Sequence, residues 1–399
     1  MDHIAIIGAG QAGATLAETL RKRGHEGRIT LWGAEPELPY QRPPLSKAYL
    51  LGEMERSRLF LRPRAFWDEH GVELRTGTPV IAIDAAARTL THSDGTEGWD
   101  ALALTTGARP RRLPAALGGD LDGVFAVRTL ADIDAMEPAF RDGAHLLVVG
   151  GGYIGLEAAA VARKRGMRVT LLEAAQRLLA RVACWDTALW FAAKHRAEGV
   201  EIREEVTLER LEGVDGRVTG AVLSDGTTLA VDAVVAGIGV VPNTDLAEAA
   251  GLSVDDGIAV DEYGRTSAPG IWAAGDCCSF PWRGGRIRLE SVPHAIEQAE
   301  AVAANILGAG TPYDAKPWFW SDQYDVKLQI AGLNAGFDNV VVRGGDHASH
   351  WYFRGDELLA VDAINDPRAY MVGKRLIEAG RSPDPAAVAD PETPLKSLL

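Results

Sequence analysis

Cysteine is scarce in this chain: three residues in 399, Cys184, Cys277 and Cys278, with none before position 184. Three cysteines, two of them adjacent, build no disulfide framework, so a small cross-linked secreted scaffold is excluded. The thiols are expected to be reduced and mostly buried. Positive charge is also in the minority. There are 41 Lys plus Arg against 55 Asp plus Glu, a net charge of −14. Nucleic-acid phosphates need a basic surface, so nucleic acid is not an expected partner. An anionic membrane surface is disfavoured on the same ground. Uninterrupted hydrophobic runs are missing as well. The most apolar stretch, 146–162, contains Gly150, Gly151, Gly152, Gly155 and Glu157. That pattern suits a buried strand–turn–helix better than a membrane span. The chain opens on a strand-like segment with no basic region or apolar signal core, and a cytoplasmic location is the expectation. Its length suits two or three domains with sizeable cores.

What is present is a dinucleotide-binding fingerprint, twice. His3-Ile4-Ala5-Ile6-Ile7 reads as a buried strand and is followed by Gly8-x-Gly10-x-x-Gly13 and a helix to about 23. A second strand over 29–32 leads to Glu35. The second copy runs Leu146-Leu147-Val148-Val149, Gly150-x-Gly152-x-x-Gly155, a helix to about 165, a strand over 169–172, and Glu173. One such fingerprint is weak; two in the same strand–turn–helix context, each with an acid a little over twenty residues on, are strong. The first glycine permits the turn, the second lets the backbone approach a pyrophosphate, and the third lets helix and strand pack closely. The helix N-terminus then offers N–H groups and partial positive charge to phosphate. The acid accepts from a ribose diol.

The duplication continues. Ser93-Asp94-Gly95-Thr96 precedes Asp100 and the apolar 101–107 run, and Ser224-Asp225-Gly226-Thr227 precedes Asp232 and the 233–239 run. Asp-Gly between short β-rich runs is a hairpin signal. Each half therefore reads as a βαβ unit, a hairpin, and a strand ending in glycine. Beyond them, 270–276 reads as a further strand, 294–307 as a helix, and 316–399 as a smaller α+β domain.

Further motifs fill the same frame: Arg42-Pro43-Pro44-Leu45-Ser46-Lys47, Thr105-Thr106-Gly107-Ala108, Gly275-Asp276, Glu290-Ser291-Val292-Pro293-His294-Ala295, and Trp318-Phe319-Trp320-Ser321-Asp322-Gln323-Tyr324. With the paired fingerprints, they make nearly the whole chain resemble the FAD-dependent ferredoxin reductases that serve Rieske oxygenases and bacterial cytochrome P450 systems. The resemblance implies an α/β fold of two Rossmann-like dinucleotide-binding domains, glutathione-reductase-like, plus a C-terminal α+β domain. It places the FAD domain at 1–109 and 243–315, the NAD domain at 110–242, and the C-terminal domain at 316–399. It implies FAD and NADH as cofactors and a [2Fe–2S] ferredoxin as partner, in a monomer or homodimer.

By the same resemblance, Lys47 lies at the flavin N5 edge and pairs with Glu157, and Trp320 stacks near the flavin. Alone, Lys47 would read as an ordinary loop lysine; the bland alternatives are a helix-surface or capping carboxylate for Glu157, which its apolar neighbours Leu156 and Ala158 to Ala160 disfavour, and a core tryptophan for Trp320, which stands about even with a flavin contact. FAD contacts fall on Gly8, Gly10, Ala12, Gly13, Glu35, Arg42, Lys47, Val80, Thr106, Gly107, Asp276, Val292 and Trp320. NAD contacts fall on Gly150, Gly152, Tyr153, Ile154, Gly155, Glu173, Gly237, Ile238 and Gly239. Asp276 is expected at a strand end, accepting from ribityl hydroxyls or capping a helix. Val292 to His294 are expected to open a helix with its positive end toward the flavin.

Glu173 favours NADH, because a carboxylate there binds a 2′-hydroxyl and repels a 2′-phosphate; Arg177 and Arg181 stand close enough in sequence to soften that preference. Arg283, Arg286 and Arg288 are candidates for docking an acidic ferredoxin, and equally for an ordinary solvated hairpin. The lack of cysteine before 184 excludes flavoenzymes that reduce disulfides through an early cysteine pair. It also excludes oxidases and peroxidases with a single cysteine near Pro44-Leu45-Ser46. A rubredoxin reductase, and a non-enzymatic FAD/NAD sensor resembling apoptosis-inducing factor, remain as alternatives.

Overall fold

The computed structural model describes residues 1–344 and 347–399. They form two compact units, one of 1–41, 56–109 and 241–317, the other of 42–55, 110–240 and 318–399.

The first unit is organised by a five-stranded parallel sheet. Its order is Ile271–Ala273, Ala101–Leu104, His3–Ile7, Arg28–Trp32, Val72–Arg75. The central strands are apolar along most of their length because both faces are covered. On one face Ile4, Ile6, Ile29 and Leu31 pack against Leu16 and Leu20 of the Gln11–Lys22 helix and Val302 and Ile306 of the Val292–Ile306 helix. On the other, Ile7, Leu102 and Leu104 pack with Ile83, Leu90 and Phe280. The Gln11–Lys22 helix starts at Gly10 without a side-chain cap and carries Arg21 and Lys22 in its last turn, where cations suit the dipole. The Val292–Ile306 helix has Ser291 as N-cap, accepting from the His294 N–H at 3.3 Å, with Pro293 in its first turn.

The second unit contains the second parallel sheet, ordered Val200–Glu204, Arg168–Glu173, His145–Val149, Ala233–Ala236, Val124–Phe125. Four strands match the first sheet position for position. The fifth is drawn from 271–273 in the first copy and from 124–125 in the second. The likeness reaches side chains. His3 bonds Gly98 O at 2.7 Å and Thr30 Oγ1 at 3.0 Å; His145 bonds Ala230 O at 2.7 Å and Thr170 Oγ1 at 2.9 Å. Asp100 accepts from the His3 N–H as Asp232 does from the His145 N–H.

Each predicted hairpin is part of a three-stranded antiparallel piece. One comprises Val80–Asp84, Thr89–His92 and Gly95–Gly98; the other Leu208–Val214, Arg217–Leu223 and Thr228–Ala230. The second unit ends in a five-stranded antiparallel sheet, ordered Trp318–Gln323, Val326–Gly332, Glu357–Ile364, Ala348–Arg354, Asn339–Gly344. The Pro367–Glu378 helix packs Ala369 and Leu376 against Trp351, Phe353 and Val361 of that sheet. No helix among the described residues is long and apolar enough to cross a membrane.

One expectation needs correcting. The strand containing Ile271 ends at Ala273, and Asp276 lies beyond it in a turn leading to the Cys278–Trp282 strand. Gly275, at φ +85°, turns the chain there. The chain runs from Asp276 into that strand and not into a helix, so Asp276 caps none.

Candidate functional site

The first glycine loop has the shape its spacing predicts. Gly8 sits at φ +117°, and a Cβ there would strike the Thr105 carbonyl; a Cβ on Gly13 would strike the Gly8 carbonyl. Gly10 differs: nothing lies within 4 Å of a Cβ built on it. Two glycines are thus required by packing, while the middle one faces open space before an uncapped helix N-terminus, with Ala12 buried in the first turn. That is the cradle a pyrophosphate needs. Glu35 accepts from the Tyr40 hydroxyl at 2.5 Å, a partner the sequence reading did not identify. Thr106 Oγ1 donates to Asn243 O at 2.7 Å, and the Asn243 amide returns a bond to Thr106 O at 2.8 Å. Gly107 follows at φ +67°. Val80, half-buried, opens a mostly exposed strand and Val292 a helix in this same unit. Arg42, Lys47 and Trp320 belong to the other unit.

The second loop repeats the arrangement. A Cβ on Gly150 would come within 2.5 Å of Gly237 O, and one on Gly155 would strike the Gly150 carbonyl. Gly152 is open, its nearest neighbour at 4.0 Å, and the Tyr153–Lys164 helix begins without a side-chain cap. Glu173 is held by two backbone donors, Gly151 N–H at 2.9 Å and Ala175 N–H at 2.8 Å. Gly237 backs onto Gly155, and Gly239, at φ +95° beyond Ile238, accepts from the Arg111 N–H at 2.9 Å. Ile154 is exposed, and the Tyr153 ring lies 5.0 Å from Phe319. The Tyr153 hydroxyl is buried without a hydrogen-bond partner among the described residues. Arg177 is engaged elsewhere: its guanidinium donates to the carbonyls of Leu178, Leu179, Ala180 and Cys184 and lies over the Trp185 ring. Arg181 is exposed. The residues of both loops therefore fit the dinucleotides.

Lys47 and Glu157 come together in the second unit. Lys47 follows a short 3-10 turn, Pro43–Ser46, whose prolines stiffen the backbone. The turn is tied down on both sides, by Arg42 donating to Arg128 O at 2.6 Å and by the Tyr49 hydroxyl donating to Asp134 at 2.7 Å. Lys47 Nζ lies 3.0 Å from Glu157 Oε1. Glu157, only 3% exposed, stands among the buried Leu156, Ala158, Ala159 and Ala160. Burying an isolated carboxylate is costly, so each oxygen needs partners. Ser46 Oγ donates to Oε2 at 2.6 Å and Ser321 Oγ to Oε1 at 2.6 Å. Short charge-assisted bonds of this kind fix both position and charge. Both serines lie in motifs read from sequence, yet neither was singled out, because only the fold brings them to the acid. Trp320, one residue before Ser321, is half-buried and tilted against Trp318 at 5.6 Å between ring centres.

The candidate docking arginines all have partners within the first unit, although Arg283 and Arg286 remain exposed. Arg286 donates to Val260 O and Ser279 O, and Arg288 pairs with Glu290 and Asp256. Arg283 lies over the Trp282 ring. All three cysteines are buried and unbridged, and burial pushes the Cys277 and Cys278 thiols up.

The pyridine nucleotide-disulphide oxidoreductase family matches residues 2–299, and a reductase C-terminal family matches residues 318–399. Rhodocoxin reductase of Rhodococcus erythropolis is 44% identical, over 99% of this chain and 94% of its own. Putidaredoxin reductase of Pseudomonas putida is 40% identical, over 100% and 97%. A crystal structure of the covalent putidaredoxin reductase–putidaredoxin complex superposes with a TM-score of 0.96 at 41% identity, covering 100% of this chain and 98% of that one. The chain belongs to the pyridine nucleotide-disulphide oxidoreductase family, among the FAD- and NAD(H)-using ferredoxin reductases of oxygenase systems.

Proposed function

We propose that the protein takes a hydride from NADH and passes single electrons to a [2Fe–2S] ferredoxin serving an oxygenase or cytochrome P450. Bound FAD supplies the redox chemistry, accepting an electron pair and releasing electrons singly. The chain's own residues bind, orient and set charge. The first unit's glycine loop holds the FAD pyrophosphate and Glu35 its ribose; the second loop and Glu173 hold NADH. The FAD domain is assigned to 1–109 and 243–315, the NAD domain to 110–242, and the C-terminal domain to 316–399.

The observation that carries this reading is the Lys47–Glu157 pair. Its lysine is the cation assigned to the flavin, and its carboxylate belongs to the nucleotide-binding helix. A cation held in one place by a buried carboxylate stabilises charge as it develops, without reorganising. Trp320 is assigned to the flavin's surroundings, and the Trp318/Trp320 surface to ferredoxin contact. Stopped-flow reduction of the flavin by NADH tests the pair: Glu157→Gln and Lys47→Met are each expected to slow it at least about tenfold. Wild-type rates in both variants would remove the pair from the site.

A further inference from the structure

Glu157 is the terminus of a longer hydrogen-bonded line within the second unit. Ser321 Oγ, 2.6 Å from Glu157 Oε1, is 3.2 Å from Gln323 Nε2. Gln323 Oε1 is 2.8 Å from His195 Nε2, and His195 Nδ1 is 3.1 Å from the Tyr324 hydroxyl. Ser321, Gln323 and His195 are buried. The direction of every bond follows from donor counts. Ser321 has one hydroxyl hydrogen, and the carboxylate takes it. The serine oxygen must therefore accept, which turns the Gln323 NH2 toward it and the Gln323 carbonyl toward His195. That carbonyl needs a donor, so His195 carries its hydrogen on Nε2. A neutral imidazole then accepts on Nδ1, and the Tyr324 hydroxyl donates. Burial keeps the ring neutral, pulling its pKa down to about 4. Four donors thus point one way, toward one buried carboxylate.

Tyr324 supplies an independent sign. It has φ +58°, in the two-residue turn between the Trp318–Gln323 and Val326–Gly332 strands. Glycine or asparagine suits such a position; a tyrosine there is strained. Its neighbours hold it. Lys164 Nζ reaches its carbonyl at 3.3 Å, and Lys194, which pairs with Glu198 and Asp325, lies over its ring.

We infer that Ser321, Gln323, His195 and Tyr324 are positioning residues, an aligned line of dipoles that orients Glu157 and through it fixes Lys47. This rests on the reading of the Lys47–Glu157 pair given above. The charged and titratable groups facing the line are Lys47 at one end and Lys194, Glu198, Asp325, Lys164 and Arg163 at the other.

The test uses the FAD-loaded enzyme and two readouts. The infrared carboxylate stretch of Glu157, assigned by its loss in Glu157→Gln, is followed in each variant, because its position reports the hydrogen bonds the carboxylate accepts. Ser321→Ala is expected to shift the band, with smaller shifts in the same direction in Gln323→Leu, His195→Phe and Tyr324→Phe. His195→Gln, which retains a donor toward Gln323, is expected to restore the wild-type band position. The second readout is NADH-driven flavin reduction: combined with Glu157→Gln, the line's substitutions are expected to slow it no further. A Glu157 band unmoved by all four substitutions, or rate losses that multiply those of Glu157→Gln, overturns the inference. Tyr324→Phe removes only an oxygen and carries the test if His195→Phe does not fold. The infrared band reads the line itself, whereas a Glu157→Gln enzyme reduced at the wild-type rate would instead defeat the pair's role.

Discussion

Ser46 Oγ donates to Glu157 Oε2 at 2.6 Å across a sequence separation of 111 residues. The bond gives one oxygen of a buried carboxylate a donor, while Lys47 and Ser321 serve the other. Ser46→Ala leaves that oxygen without its hydroxyl. Losing a bond to a buried charged group costs about 1.5–3 kcal/mol, and thermal unfolding should show that loss. Ser46→Thr, which keeps the hydroxyl, should recover most of it.

Nucleotide preference is assigned to Glu173, already aimed by Gly151 and Ala175. Glu173→Ala should lower kcat/KM for NADH about tenfold, the worth of about 1–2 kcal/mol in hydrogen bonds. Arg177, held by four carbonyls and Trp185, should not then turn to NADPH; any gain for NADPH would have to come through the exposed Arg181 and be lost in the added Arg181→Ala variant. Steady-state kinetics with both nucleotides decides this. A wild-type preference for NADPH would contradict the assignment outright.

The pH dependence of stability follows from three buried groups. Burial holds His195 down to about 4 and His294 down to about 3. The unfolded chain protonates such histidines from about pH 6.5 downward, the native chain only below those values. The unfolded state therefore binds more protons in this window, and stability falls as pH drops from 6.5 toward 4. Asp362 works in the opposite sense, its carboxyl pushed up to about 6 by burial despite donors from Tyr352 and Thr187. Its contribution is present below its unfolded value and is lost as pH rises through 6. Asp362→Asn should raise stability at pH 8 by about 1–2 kcal/mol and steepen the acid loss. Melting curves from pH 4 to 8 measure both.

The thiols should be inert in the native protein. Cys184, Cys277 and Cys278 are buried, and the last two are held away from thiolate formation. An alkylating reagent at pH 8 is expected to label none of them until the chain is unfolded, then all three, as mass spectrometry would count.

The glycine loops and their acids are legible because local geometry dictates them: Gly8 and Gly13 admit no side chain, and Gly10 leaves room. The repeat was more legible than its hairpins suggest. His3 and His145 open equivalent strands, Thr30 and Thr170 face them, and aligning the two halves exposes the match. Partners brought by tertiary placement were not legible. His195 lies on the Trp185–Ala197 helix, and no spacing relates it to Gln323 or Glu157. Arg286 and Arg288 read as a basic cluster because sequence does not show the carbonyls and acids that occupy them. Charge reversal at these two should therefore lower stability and depress turnover with every acceptor alike, rather than with ferredoxin alone.

The central claim is an electron path from NADH to an iron–sulfur carrier. Its most direct measurement is NADH-driven reduction of a panel of [2Fe–2S] ferredoxins and a rubredoxin by the purified flavoprotein, with oxygen as control acceptor. Fast turnover with a [2Fe–2S] ferredoxin and slow turnover with oxygen is the predicted result. Flavin reduced by NADH that passes electrons to none of the carriers would contradict it.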